Sequence, residues 1–251
     1  MIVQNETERP TVAMTAIAMR DAPDTAALPS PAMLAPGANG ALTGSVRESD
    51  SPDVFATLAA REVQLALWRR PVPEGVTAAL EAWARTRPAR WGRIGDAAAL
   101  DLADLGATLP TDVRDRVHAD LHMLLHHFAL CAGGRKVRLE FGPVLDNQCR
   151  KFHVDHMHLR LITTYLGPGT QWVPEHAVRR AGFGRCYGRV ADANRAIVPD
   201  RTQVRHAVAG EVLAMKGVRH GDGLGVVHRS PPIRGSGRVR VVAVLSTVER
   251  D

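Results

Sequence analysis

Hydrophobic and polar positions divide the chain into three textures. Up to about residue 52, large apolar side chains are sparse among Ala, Gly, Ser and Thr, and Pro23, Pro29, Pro31 and Pro36 interrupt any helical period. Residues 1–52 are therefore expected to form a disordered N-terminal tail. From residue 53, VFATLAAREVQLALW begins with a short helical stretch and continues in the alternation Val63, Leu65, Leu67 of a strand. Residues 74–85 read as an amphipathic helix, and a second helix is expected to include residues 97–105. The clearest helical pattern covers residues 111–130, with Thr111 as N-cap, Asp112 and Asp115 in the first turn, and Gly133 and Gly134 as the stop. Val117, Leu121, Leu124, Leu125 and Phe128 form its apolar stripe.

After Gly134 the helical period gives way to the two-residue alternation of strands. Strands are expected within residues 136–141, 157–166, 170–173, 203–208, 211–215, 224–227 and 238–246, separated by turns such as Gly167-Pro168-Gly169 and Pro231-Pro232. Many short strands without intervening helices predict an α+β, mainly β fold: a double-stranded β-helix, or jelly roll, with supporting N-terminal helices. Its single domain would span residues 53–251, with helical support over 53–133 and the β core over 134–251. A metal site in such a roll belongs at its mouth, between the two sheets.

Composition narrows the function classes. No apolar run approaches the roughly 18 residues that cross a bilayer, and Glu6 and Glu8 stand where a secretory leader carries basic residues. A cytoplasmic location with no membrane contact is expected. The net charge of +6 permits acidic partners, yet aromatic residues make up only 4% of the chain. Nucleic acid, whose bases stack on aromatic rings, is not an expected partner; the substrate is an unidentified small molecule or protein. Cys131, Cys149 and Cys186 are an odd set without paired spacing, which excludes a disulfide scaffold and predicts buried free thiols rather than a structural zinc site.

The candidate chemistry centres on CRKFHVDHMHLRLITTYLGPGT, residues 149–170. In an extended strand His153 and Asp155 share a face, which Met157, Leu159, Leu161, Thr163 and Tyr165 can continue. His228, in VVHRSPP, is the best-placed third ligand. Two imidazoles and one carboxylate on one face of an octahedral ion leave adjoining positions open, as in non-haem Fe(II) oxygenases. A 2-oxo acid held there needs a cation for its far carboxylate. Arg238, ten residues after His228, is the first candidate and Arg240 the alternative, with Tyr165 as a hydroxyl partner. His156 and His158 fall on the opposite face. His118, His122 and His126, four apart on the long helix, read as a polar edge rather than a ligand set. The glycines at 182, 184 and 188 lack the spacing of a phosphate loop, and the arginines of residues 175–201 read as solvated loop charge.

The ordered segments HVDHMHLRLITTYLGPGT, VAGEVLAMKG, VVHRSPP and RVRVVAVLS resemble the Fe(II)/2-oxoglutarate-dependent oxygenases of the prolyl-hydroxylase type. From about Val54 onward the chain also resembles an uncharacterised bacterial family, domain of unknown function 1826, with its CRKFHVDH-like and HRSPP-like segments. The first resemblance implies His153, Asp155 and His228 as metal ligands, Arg238 as the 2-oxoglutarate anchor, and Fe(II) and 2-oxoglutarate as cofactors of a hydroxylase. The second implies a link to zinc homeostasis, through gene neighbourhoods associated with zinc limitation. Zinc is accordingly the alternative metal, in a non-catalytic zinc-binding protein or a zinc-dependent hydrolase.

Overall fold

The computed structural model describes residues 45–248 apart from Asn147 and Asp222. Most of the expected tail, residues 1–44, lies outside the described residues. Its last part does not behave as a tail: Val46–Ser49 forms strand β1, which pairs in parallel with β2, Leu65–Trp68. Only Val46 is a large apolar residue in β1, so its pairing depends on the buried edge offered by β2 rather than on its own pattern.

The remaining elements are α1 (Thr77–Arg85), β3 (Trp91–Gly95), α2 (Thr111–Ala132), β4 (Val137–Val144), β5 (Leu159–Leu166) and β6 (Gln171–Val173). They continue with α3 (Val190–Ile197), β7 (Arg205–His206), β8 (Val212–Lys216), β9 (Val227–Arg229) and β10 (Arg240–Thr247). A seven-stranded sheet has the order β1-β2-β8-β5-β10-β4-β3, and a three-stranded sheet the order β7-β6-β9. His153 bridges His228 and so joins the small sheet beside β9. Along the chain, β4 lies in the large sheet, His153 in the small one, β5 in the large, β6 and β7 in the small, and β8, β9 and β10 alternate again. That winding between two sheets is a double-stranded β-helix, and the fold is α+β, mainly β.

Alternation along the strands builds two cores. Leu159, Leu161 and Tyr165 of β5, Val241, Ala243 and Leu245 of β10, and Val137, Leu139 and Phe141 of β4 face the helices and pack with Leu80 and Trp83 of α1 and Leu121, Leu124 and Phe128 of α2. The opposite face of the large sheet contributes Leu65, Leu67, Ile162, Leu213 and Met215, which meet Trp172 of the small sheet. Helices therefore cover one side of the large sheet and the small sheet covers the other. The space between the sheets is where a site can form.

Two local expectations change. Residues 97–105 are turns rather than a helix, because the Asp96 and Asp101 carboxylates accept from the backbone N–H groups of Ala98 and Ala103 and trap the chain in side-chain-closed turns. Helix α2 begins at Thr111 with Pro110 in the capping position, and Gly133 ends it in a left-handed conformation, φ 61°.

Candidate metal centre

The backbone brings the two histidines together. His153 and His228 are directly opposed antiparallel partners that exchange both N–H···O bonds, each 3.0 Å. Opposed residues in such a pair present side chains on the same face, and here that face is the interior of the roll. The imidazole centroids lie 4.5 Å apart. Asp155, two residues beyond His153, joins them from the same side. One donor atom from each of His153, Asp155 and His228 falls within 4.8 Å of the others, the one such group among the described residues.

Each imidazole is held with Nε2 inward. His153 Nδ1 lies 2.9 Å from the carbonyl oxygen of Lys151, and His228 Nδ1 lies 3.1 Å from that of Val226. A carbonyl can only accept, so it fixes the proton on Nδ1 and leaves the Nε2 lone pair for a metal. Burial lowers His228 to about 4, with the neighbouring His153 and Arg160 adding to the effect, so its ring is neutral at physiological pH. Burial alone would raise Asp155. His228 and the permanently charged Arg160 outweigh it and hold the carboxyl below its usual range. The Asp155 carboxylate and the His228 imidazole are thus deprotonated, as metal binding requires.

The Asp155 carboxylate is used asymmetrically. Arg160, on β5, donates from Nη1 to Oδ1 at 2.8 Å while its Nε donates to Ser246 Oγ at 3.2 Å. Oδ2 is buried, has no hydrogen-bond partner among the described residues, and lies 3.4 Å from His228 Nε2. A buried carboxylate oxygen left over beside His228 Nε2, with His153 Nε2 3.8 Å from the other oxygen, fits a cation. Arg160 escaped the sequence reading because the expected strand phase was wrong. Residues 156–158 are bends, tied down where Gly217 N–H donates to His158 O and Val218 N–H to Asp155 O. The bend reverses the alternation, so Arg160, Ile162 and Thr164, rather than the odd-numbered residues, share the face of Asp155.

The same reversal removes Tyr165 from the site. It points to the helix side, fully buried, and donates its hydroxyl to Asp120 Oδ2 at 2.5 Å. Asp120 is in turn gripped by both Nη atoms of Arg70. Arg238 is also displaced: it is exposed and lines an open surface groove with Glu81, Arg85 and Pro168. The turn formed by residues 234–237 precedes it, and β10 begins only at Arg240. Arg240 is the arginine that enters the roll. It is 2% exposed and donates from Nη1 to Ser230 Oγ at 3.1 Å and from Nη2 to Thr164 Oγ1 at 3.3 Å. Its Nε is buried without a partner among the described residues. Burial and the charge of Arg90 push it down to about 10.

Elsewhere the histidine-rich helix stays apart from this centre. α2 packs on the other side of the large sheet, His118 Nε2 lies 3.1 Å from Leu105 O, and His122 and His126 are exposed. His156 is exposed, and His158 stacks on His220 with centroids 4.2 Å apart. All three cysteines are free, but Cys149 and Cys186 are exposed rather than buried. The segment 175–201 is more than solvated charge. Its Val178, Phe183, Ile197 and Val198 pack on Phe152 and Val227, and Asn194 accepts from Phe152 N–H at 2.7 Å and donates to Arg150 O at 3.0 Å. It therefore braces, from outside, the strand that carries His153. No helix among the described residues is long and apolar enough to cross a membrane.

Comparison with solved structures finds a Pseudomonas putida prolyl-4-hydroxylase, 13% identical over 80% of this chain and 99% of that one, with a TM-score of 0.42. It also finds the Arabidopsis thaliana dioxygenase for auxin oxidation 1 in complex with 2-oxoglutarate, 10% identical over 82% of this chain and 92% of that one, TM-score 0.45. Likenesses this distant assign no residue a role, and the site is read from its own geometry. Among curated proteins no sequence relative is found. The family model described as "Protein of unknown function (DUF1826)" matches residues 49–246, most of the chain and every residue of the site, and the chain belongs to that family.

Proposed function

We propose that the protein is an Fe(II)- and 2-oxoglutarate-dependent oxygenase acting on a small molecule or protein. The observation that carries this reading is the pairing, inside one roll, of a His153–Asp155–His228 donor set with a buried arginine, Arg240, that has hydroxyl neighbours but no carboxylate among the described residues. Two neutral imidazoles and one carboxylate suit Fe(II) and leave positions for a bidentate ligand. Ser230 links the two ends of the site, since it follows His228 by two residues and accepts from Arg240.

When bound, Fe(II) with a chelating 2-oxo acid supplies dioxygen activation, converting 2-oxoglutarate to succinate and carbon dioxide and delivering an oxygen atom to a substrate C–H bond. The chain's own residues position the reactants. His153 and His228 offer Nε2, the carbonyls behind each ring fixing the Nδ1–H tautomer of the neutral imidazole. Arg160 holds Asp155 by Oδ1 so that Oδ2 faces the His228 imidazole. Arg240 receives the far carboxylate of the oxo acid, with Thr164 and Ser230 steadying its guanidinium. Burial of His228 and Asp155 keeps bulk water from their donor atoms, while the His153 side chain stays 31% exposed.

The alternative, zinc held for storage, sensing or hydrolysis, shares the donor set but gives Arg240 no task. The two separate in one assay. Full-length protein reconstituted with Fe(II) and ascorbate should convert 2-oxoglutarate to succinate slowly without added substrate, and Asp155→Ala and Arg240→Ala should each abolish it. Tight zinc binding with no succinate from folded, Fe(II)-loaded protein would refute the oxygenase.

A further inference from the structure

We propose that the inner face of the large sheet beyond His153, on β10, β4 and β3, is the substrate platform, and that Glu140 selects a substrate bearing an ammonium or guanidinium group. This rests on the oxygenase reading given above and names the substrate chemistry of the same site. The starting observation is how far the small sheet reaches. Trp172 of β6 packs on Leu65, Leu67, Ile162, Leu213 and Met215, so β6 lies over β2, β8 and β5. His228 of β9 pairs with Trp172 on one side and with His153 on the other. His153 is therefore the last position of the small sheet among the described residues, while the large sheet continues through β10, β4 and β3. Exposure marks the part left uncovered. Val244 is the one residue of β10 that is not buried, Glu140 is half-buried, and Gly92, Ile94 and Arg138 are exposed. At this same edge the His153 side chain is itself 31% exposed.

Register puts these residues on one surface. Leu139 and Phe141 belong to the helix-side core, so Glu140 between them points into the roll. It opposes Gly92 on β3 and Val244 on β10, and Val244 opposes Ile162 on β5. Glu140 thus stands two strand spacings, roughly 10 Å, from the strand that carries Arg160. Gly92 leaves its flank open: a Cβ built there would have only Glu140 Cγ and Leu139 O within 4 Å, each at 3.7 Å. The Glu140 carboxylate has no hydrogen bond or ion pair among the described residues. The neighbouring cations do not serve it. Arg160 is held by Asp155 and Ser246, and Arg138 is exposed to solvent. Arg90, whose Cα and Cγ lie 3.0 Å from where a Cβ on Gly142 would stand, makes contacts of its own. A half-buried charge has lost part of its hydration and gains more from a partner than a fully solvated one does. A cation on an aliphatic stem suits this carboxylate, with Val244 and Ile94 as apolar flanks.

The test measures binding to the full-length protein loaded with Mn(II) and 2-oxoglutarate, by isothermal titration calorimetry. The probes are L-arginine and L-lysine, each free and as the Nα-acetyl amide, against L-citrulline and L-norleucine in the same two forms. The cationic probes should bind more tightly than their neutral counterparts, and folded Glu140→Gln should lose about tenfold or more of that affinity while keeping 2-oxoglutarate and Mn(II). Arg138→Gln should leave the preference in place. Blocked probes that bind as well as free ones would point to a basic side chain of a protein substrate, and binding of the free forms alone to a small basic molecule. Under anaerobic conditions a bound probe should also shift the visible band of the Fe(II)–2-oxoglutarate complex. No preference for cations, or a preference unchanged in Glu140→Gln, overturns the role of Glu140 while 2-oxoglutarate binding still stands. Binding through Glu140 that leaves the band unmoved would separate this face from the metal centre and overturn the platform. Folded, metal-loaded protein that takes up no 2-oxoglutarate refutes the oxygenase reading, and this proposal falls with it.

Discussion

Replacing Tyr165 by Phe separates stability from ligand binding. The hydroxyl lies 1% exposed in the helix-side core and donates to the Asp120 carboxylate at 2.5 Å. Burial and the adjacent Asp120 raise its pKa well above the usual value, so it remains a donor at every pH the fold tolerates. A hydrogen bond to a charged group contributes about 1.5–3 kcal/mol. Arg70 remains on both Asp120 oxygens in the variant, so no orphaned charge adds to the loss, and about 2 kcal/mol is expected. For a domain of this size that lowers the midpoint of thermal unfolding by roughly 4–8 °C. Circular dichroism melts and urea titration measure it, and calorimetric titration of 2-oxoglutarate into metal-loaded protein should give an unchanged affinity. A Tyr165→Phe variant as stable as the original but binding 2-oxoglutarate tenfold more weakly would put the hydroxyl in the pocket and overturn the strand phase described here.

Asp120→Ala should cost more, about 3–5 kcal/mol, because it strands the nearly buried Arg70 guanidinium as well as the Tyr165 hydroxyl; denaturant midpoints decide it. Arg160→Ala should lower Fe(II) or Co(II) affinity about 10- to 100-fold in competition with a chelating dye, with an altered Co(II) visible spectrum, since Asp155 Oδ1 loses its donor; unchanged affinity and spectrum would refute its positioning role. The metal-free protein should lose stability as pH falls from 6.5 toward 4. Over that window the unfolded chain protonates a histidine that the fold keeps neutral down to about 4, so the unfolded state binds more protons. His228→Asn should flatten that slope, and an equal slope in both proteins would count against it.

The class of fold was legible because its strands alternate and its turns carry Gly and Pro. β4 to β10 fall within or close to the expected segments, and α1 and α2 keep their apolar stripes. The three metal-binding candidates were legible too, since His-x-Asp in a strand is a local pattern and His228 precedes the last long strand. What sequence could not supply was phase. Three bent residues, His156 to His158, moved Tyr165 to the wrong side and hid Arg160. A turn ending just before β10 leaves Arg238 exposed, and Arg240, where strand pairing starts, is the arginine turned into the roll. β1 and β3 escaped notice because their side chains are not alternately apolar; their neighbours' backbone edges recruit them. Gly142 was the one signal left unread, since an isolated glycine in a strand pattern points to close approach without naming what approaches.

The most direct test is an anaerobic titration of metal-free protein with Fe(II) and then 2-oxoglutarate, following the weak visible charge-transfer band of a chelated 2-oxo acid. The band should appear in the original protein and in Arg238→Ala, and should be absent in His228→Ala and weak or absent in Arg240→Ala. Folded protein that binds Fe(II) yet gives no band at saturating 2-oxoglutarate would contradict an oxygenase site at His153, Asp155 and His228.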